Sequence, residues 1–477
     1  MRRVRLWTSM LLIIALFTGC SAAGGAVRIH VTETGAGDGT GSSWGNALPG
    51  ENLKIRLEQS KEGEEFWVTG GTYSPGPEKT DSFVLKSGVV LYGGFAGGEA
   101  SLEERDWTKH KTILSGQGKN FHVVFSEGAD GSAVLDGFTI TGGNANGRQP
   151  MERSGGGMLN LQSSPAISNC VFSGNTALEM GGGMINVSGS SPAVLNCTFT
   201  SNKAAFGGGM ANVAKSDPTV TDCVFTENLL PAGAGGGMFN RSSSPRITGS
   251  TFSNNSAAAG GGMYSDEGSA PVVTDGTFSG NKGQVGGGMT NVKSSAVVER
   301  CTFSGNTGVG GGGMVNNSGS HSTIVNCTFF GNKATFGGGM IIGAGSPTIV
   351  NCTFFGNEAD VGGAVANYAS SPTVTNSILW GNTAKSQIHN EDDKCLPSVS
   401  FSVVQGGYAD GERIFTDDPL LSPLADNGGR VLTMALAEGS PALYAGTSEG
   451  APDTDARGIA RPQGKGHDIG AYELESP

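Results

Sequence analysis

The chain has 477 residues, a formal net charge of −12 and 81 glycines. That charge excludes broad electrostatic attraction to nucleic acid, and no period of three accompanies the glycines, which excludes a collagen-like helix. The length suggests about three domains on ordinary priors. An internal repeat overrides that prior, because each unit of a solenoid leans only on its neighbours.

Arg2, Arg3 and Arg5 precede an apolar stretch from Leu6 to Phe17, followed by Thr18-Gly19-Cys20-Ser21. A basic start, a short apolar run and small residues make an export signal over residues 1–19. The run is too short for an ordinary membrane span, which takes about 20 residues. Thr18-Gly19-Cys20 resembles a bacterial lipobox, with Phe17 where Leu is usual. That resemblance implies that Cys20 is the lipidated first residue of the mature protein, anchored to the cell envelope. The alternative is a plain secretory signal cleaved near Ala22 or Ala23.

Residues 20–150 read as an amino-terminal cap and irregular first coils. Strands are expected at Arg28 to Thr32, Phe66 to Thr69, Phe83 to Leu85, Val89 to Tyr92, Thr112 to Ser115, His122 to Phe125 and Val134 to Ile140. A short helix within Trp44 to Gln59 would close the open end. Trp44, Ala47-Leu48, Gly71-Thr72-Tyr73 and Val90 to Phe95 together resemble the amino-terminal region of exported bacterial β-helix proteins.

From Gly155 to about Asn382 one sentence repeats nine times. Met158, Met184, Met210, Met238, Met263, Met289, Met314 and Met340, with Val365 in the ninth place, are 26, 26, 28, 25, 26, 25, 26 and 25 residues apart. Such a period means a solenoid. Within a repeat the apolar runs are short, rich in Val, Ile, Thr and Phe, and bounded by Gly, Ser, Pro and Asn, so they are strands and turns. Three runs fit one coil. The fold class is all-β, a right-handed parallel β-helix of roughly 12 to 14 coils from about Arg28 to Val404, stacked at about 4.8 Å. Met184, Asn186, Val194, Cys197 and Phe199 should face inward, with Ile185 exposed or at the rim. Asn196 and its equivalents should sit at a left-handed corner.

The pairing of Gly-Gly-aliphatic words with Phe172 to Asn175, Phe199 to Asn202, Phe329 to Asn332 and Phe354 to Asn357 resembles the repeat of polymorphic outer-membrane proteins. The whole coil is similar to the pectin-lyase-like superfamily, whose fold serves lyases, hydrolases, adhesins and binding proteins alike. The resemblance therefore implies fold rather than activity.

Residues 386–477 read as a last coil and an acidic cap, with 15 acids against 6 bases, whereas residues 151–385 carry 11 against 10. Asp417-Asp418-Pro419-Leu420, Gly439 to Ala442, Asp453, Asp455, Gly458, Arg461 and Asp468 to Glu473 resemble the closing run of bacterial choice-of-anchor β-helix proteins. Asp453, Asp455 and Asp468 are weak Ca²⁺ candidates. A solvated acidic cap is the plainer reading, because no Asp-x-Asp-x-Asn-Gly spacing appears, and no cofactor is otherwise expected.

Cys170, Cys197, Cys223, Cys301, Cys327 and Cys352 share one repeat position, which Ser250, Gly276 and Ser377 occupy elsewhere. They are read as buried free thiols, since three equivalent thiols in a run cannot all pair, and no His joins them to make a zinc site. The six His are scattered and read as surface or loop residues. The outward positions of the methionine strand hold one acid and one base. Phe239, Arg241, Tyr264 and Asp266 come from adjacent coils and form its aromatic and charged patch, a sugar-binding candidate or a structural salt bridge beside stacked rings. A glycosidase needs at least two carboxylates flanking the bond, and no Gly-x-Ser-x-Gly is read in a strand-to-helix turn. The sequence thus points to a lipid-anchored, surface-exposed protein that binds a polysaccharide or surface partner or serves the envelope structurally. A carbohydrate-active enzyme, lyase or hydrolase, is the alternative. The membrane is a partner through the lipid.

Overall fold

A computed structural model describes residues 27–475. The expected export signal and Cys20 lie outside the described residues. The chain winds into a right-handed parallel β-helix of about 13 turns. A regular coil has three short strands, such as Met184–Val187, Ala193–Leu195 and Thr198–Thr200. Stacked coils give a methionine sheet, a valine face and a phenylalanine face. The methionine sheet has 12 strands, from Phe83–Leu85 to Ile388–Asn390. The other two faces merge, because Ser398–Val404 runs through a corner and pairs with both Thr373–Thr375 and Ile378–Trp380.

Repeat equivalents sit on one another: Met184 pairs with Met210, Val194 with Val220 and Phe199 with Phe225. Met184, Val194, Cys197 and Phe199 are buried as expected. From Phe172 to Phe354 the rings stack at 4.5–4.8 Å and within 5° of parallel. Burying each ring contributes about 1.5–3 kcal/mol. A second ladder fills the corner after it. The Asn202 N–H and side-chain amide both donate to Asn228 Oδ1, at 3.0 and 3.2 Å, and every member from Asn175 to Asn357 is fully buried. Inward Asn186 likewise donates to Asn212 at 2.8 Å. Asn196, Asn326 and Asn351 take the expected left-handed corner, with φ of 49–53°.

The glycine triplet has two physical causes. Gly181 needs its φ of +63°, while a Cβ on Gly182 or Gly183 would meet carbonyl oxygens of the next coil at 2.5 Å. The segment between the asparagine corner and the triplet then folds over the outside of the methionine sheet. Ile185 is therefore not at the rim: it is 3% exposed, in an outer cluster with Leu159, Ala211 and Phe239 that Met180 and Phe206 cover. The strand register is as expected. What the strand period could not reveal is that this turn supplies a lid.

Leu53–Glu58 is the expected short helix, and its Leu53 and Leu57 plug the amino end of the core. His30 is a correction to the surface reading of the histidines. It is buried, its ring 4.5 Å from Trp44 and 5.9 Å from Trp67. At the far end Tyr408 and Ile414 pack on the core. The acidic tail is not stacked across that end but runs back along the flank as a strap. Asn376 donates to Thr447 O at 2.8 Å, Asn351 to Asp468 O at 3.2 Å, Asn326 to Thr454 O at 2.7 Å and Thr302 to Leu432 O at 2.7 Å. Arg430 pairs with Asp222 further back still.

Candidate functional site

Two columns of side chains point outward from the methionine sheet. The lid turns bury most of the first, which includes Leu159, Ile185, Ala211, Phe239, Val315 and Ala366. The second is more open and includes Arg241, Asp266, Asn317, Gly343 and Tyr368 in register.

Stacking brings together all four residues singled out from the sequence. The Phe239 and Tyr264 rings are parallel within 2° at 5.7 Å, and Arg241 grips Asp266 with two hydrogen bonds of 2.7 and 3.1 Å. The Asp266 carboxylate beside it holds the Arg241 guanidinium above its ordinary range. Burial, reinforced by Asp266, raises the Tyr264 phenol. The patch is tighter than the sequence suggested. Phe239 is wholly buried and Arg241 lies 5.0 Å over its ring, so Phe239 presents no face to a ligand. Tyr264 and Arg241 remain half-buried, with Glu267 3.4 Å from the guanidinium.

Further along the same face, a cleft of 390 Å³ is lined by Phe336, Ile341, Tyr368 and Glu391. In the second column Gly343 lies in register between Asn317 and Tyr368. Phe336 meets Tyr368 edge to face at 6.3 Å, and His389 Nε2 lies 3.1 Å from Glu391 Oε2. Burial and the Glu391 charge raise the Tyr368 phenol. Tyr368 was visible in the outward column. Phe336 and Glu391 were not legible as partners, since Phe336 belongs to the lid turn and Glu391 to the segment where the period fades. A larger cleft of 490 Å³ at the amino end is lined by Glu33, Glu51, Tyr73 and Lys119 among others. Its Tyr73 phenol is pushed by burial to about 12 and donates to Thr69 O, so it stays protonated at neutral pH and offers no phenolate base.

Two of the three Ca²⁺ candidates have other partners. Asp455 is buried against Arg457, and Asp468 accepts the N–H groups of Tyr444 and Leu474 at 2.8 and 2.7 Å. Between them Arg461 and Glu473 form a fully buried pair at 2.6 Å. Asp453 is exposed and stands outside this knot. Among the described residues no group of three His, Cys, Asp or Glu could hold a metal ion. The acidic motif locks the strap to the solenoid. The seven described cysteines are buried and free. Burial pushes the Cys197, Cys301 and Cys327 thiols well up, which makes them poor nucleophiles.

The sequence matches the right handed beta helix region family over residues 112–259 and 238–396, more than half of the chain, and the protein belongs to that family. No curated protein matches it. Similar solved structures include the pectate lyase Pel9A, at 13% identity and a TM-score of 0.43, covering 94% of this chain and 96% of that one. The PL6 family alginate lyase AlyGC is similar at 13% identity and 0.46, covering 94% and 59%. The catalytic unit of a GH87 alpha-1,3-glucanase from Streptomyces thermodiastaticus strain HF3-3 is similar at 13% and 0.42, covering 83% and 71%.

Proposed function

We propose that this is a lipid-anchored envelope protein that binds polysaccharide along the outer face of its methionine sheet. The observation that carries the reading is the aromatic cleft of Phe336, Ile341 and Tyr368 with Glu391 at its edge. Apolar walls with a few polar groups are what a saccharide site needs: ring faces take sugar C–H groups and the charged groups take hydroxyls. Tyr264 and Arg241 extend the same face toward the amino end. The lipid would come from Cys20 and would hold the solenoid at the cell surface.

The alternative, a lyase or hydrolase, needs an acid and a base free to move protons. Asp266 is committed to Arg241, which argues for binding over turnover at that patch. Two measurements test the reading. Purified protein is screened against pectins, alginate and other acidic glycans, with and without Ca²⁺, for both retention and product release. Retention without product supports binding, product release supports the enzyme, and neither rejects both. Separately, Cys20→Ala should move the protein from membranes to the soluble fraction, and continued tight membrane association rejects the anchor.

A further inference from the structure

On the phenylalanine face, the outward position after the core ring holds a small polar residue through most of the solenoid: Thr200, Thr226, Ser253, Ser279 and Ser304 in successive coils. In the last three regular coils the same column becomes Phe330, Phe355 and Trp380, in register. This change is not demanded by the interior, which Phe329, Phe354 and Leu379 already fill.

The rings are held as tiles. Phe330 and Phe355 are parallel within 2° with centroids 6.4 Å apart, an offset arrangement rather than a direct sandwich. Each aromatic residue is followed by a glycine at positive φ: Gly331, Gly356 and Gly381 at +61°, +66° and +64°. A Cβ on Gly381 would meet Phe355 Cε2, Cζ and Cδ2 at 3.1, 3.3 and 3.5 Å. Three neighbouring ring atoms at nearly one distance mean that the ring lies across the glycine, with one face against backbone and the other turned outward. Both phenylalanines are half-buried. On one side the strip is bordered by the strap, against which Trp380 packs with Leu436 and Ile469. On the other lies a polar column, Lys333, Glu358 and Thr383, in register, with an exposed Lys333–Glu358 pair at 2.6 Å.

We infer that this strip is a second polysaccharide-binding surface, separate from the methionine-sheet cleft, that takes the flat face of an extended β-linked glycan chain running along the solenoid axis. Parallel tiles spaced along that axis accept successive pyranose rings by C–H contact, and the Lys333, Glu358 and Thr383 column supplies donors and acceptors for hydroxyls. The strip of two free rings is far smaller than the roughly 1,200–2,000 Å² that a stable protein partner buries, whereas it suits a ribbon-like chain.

The test uses the full-length protein and two probes, microcrystalline cellulose and colloidal chitin. The double variant Phe330→Thr/Phe355→Ser places in these coils the residue types that earlier coils carry, so the fold is kept, and circular dichroism confirms it. The parent is expected to be retained on at least one polymer and the double variant to bind at least tenfold more weakly, with Val297→Thr, an exposed position on the valine face, retained like the parent. No retention of the parent on either polymer, or equal retention of the double variant, overturns the inference. Loss in Tyr368→Ala alone also overturns it and assigns the binding to the methionine-sheet cleft.

Discussion

Replacing Asn228 by Leu tests what holds the coils in register. Asn228 Oδ1 accepts the backbone N–H and the side-chain amide of Asn202 at 3.0 and 3.2 Å, and its own amide donates to Phe199 O at 3.0 Å and Asn255 Oδ1 at 2.9 Å. Leucine keeps the volume and removes all four bonds. The Asn202 N–H, buried in the ladder, loses its acceptor, at about 1–3 kcal/mol, and each remaining bond is worth about 0.5–1.5 kcal/mol. The bonds share atoms and do not add fully, so the expected cost is about 3 kcal/mol. Solenoids need not unfold in one step, so amide hydrogen exchange read residue by residue is the suitable assay. The Asn202 amide should exchange on the order of 100-fold faster or more, with the effect fading over neighbouring coils. Unchanged protection at Asn202, or a Leu variant as stable as the parent, refutes the claim that the asparagine ladder stabilises the stack.

Asn196→Gly should cost no more than about 0.5–1.5 kcal/mol in denaturant titration, the worth of its 2.7 Å amide bond to Asn169, because Gly249 occupies the equivalent corner at φ +61° and glycine carries no left-handed penalty; Asn196→Val should cost about 1–2 kcal/mol more. In a Cys20→Ser protein, a thiol reagent at pH 8 should find no reactive cysteine in the native state and seven after denaturation, matching the seven buried free thiols. Burial raises the Asp468 carboxyl to about 6. The folded strap therefore holds that proton more tightly than the unfolded chain, whose Asp titrates near about 3.9. This group's contribution is greatest below pH 4 and is lost as pH rises through 6. Protease nicking of the strap, compared at pH 5 and 7.5, should show a smaller pH difference in Asp468→Asn than in the parent. Arg461→Ala leaves Glu473 buried without its partner, at a cost of about 3–5 kcal/mol, and should make the strap protease-sensitive at both pH values.

The solenoid was legible because its signal is repeated: Met184, Val194, Cys197 and Phe199 could be placed from a period that nine coils share. The stacked Phe239–Tyr264 pair and the Arg241–Asp266 bridge followed from the same register. The lid was not legible, because the segments containing Met180, Phe206 and Phe336 differ in sequence and length from coil to coil, and no period marks what they cover. That is why Ile185 and Phe239 are buried. The strap was missed for a related reason. Asp455, Arg461, Asp468 and Glu473 read as a solvated acidic run until folding brings Arg461 against Glu473. Composition counts charges but not their partners.

The central claim is that the outer face of the methionine sheet binds polysaccharide through the Tyr368 cleft. Isothermal titration of the parent and of Tyr368→Ala with the best-retained soluble glycan tests it most directly. Truncating an aromatic residue that anchors a binding site costs about 2 kcal/mol or more, so the variant should bind roughly 30-fold more weakly or worse, with an unchanged melting temperature. Equal affinity of the two proteins for that glycan would contradict the account.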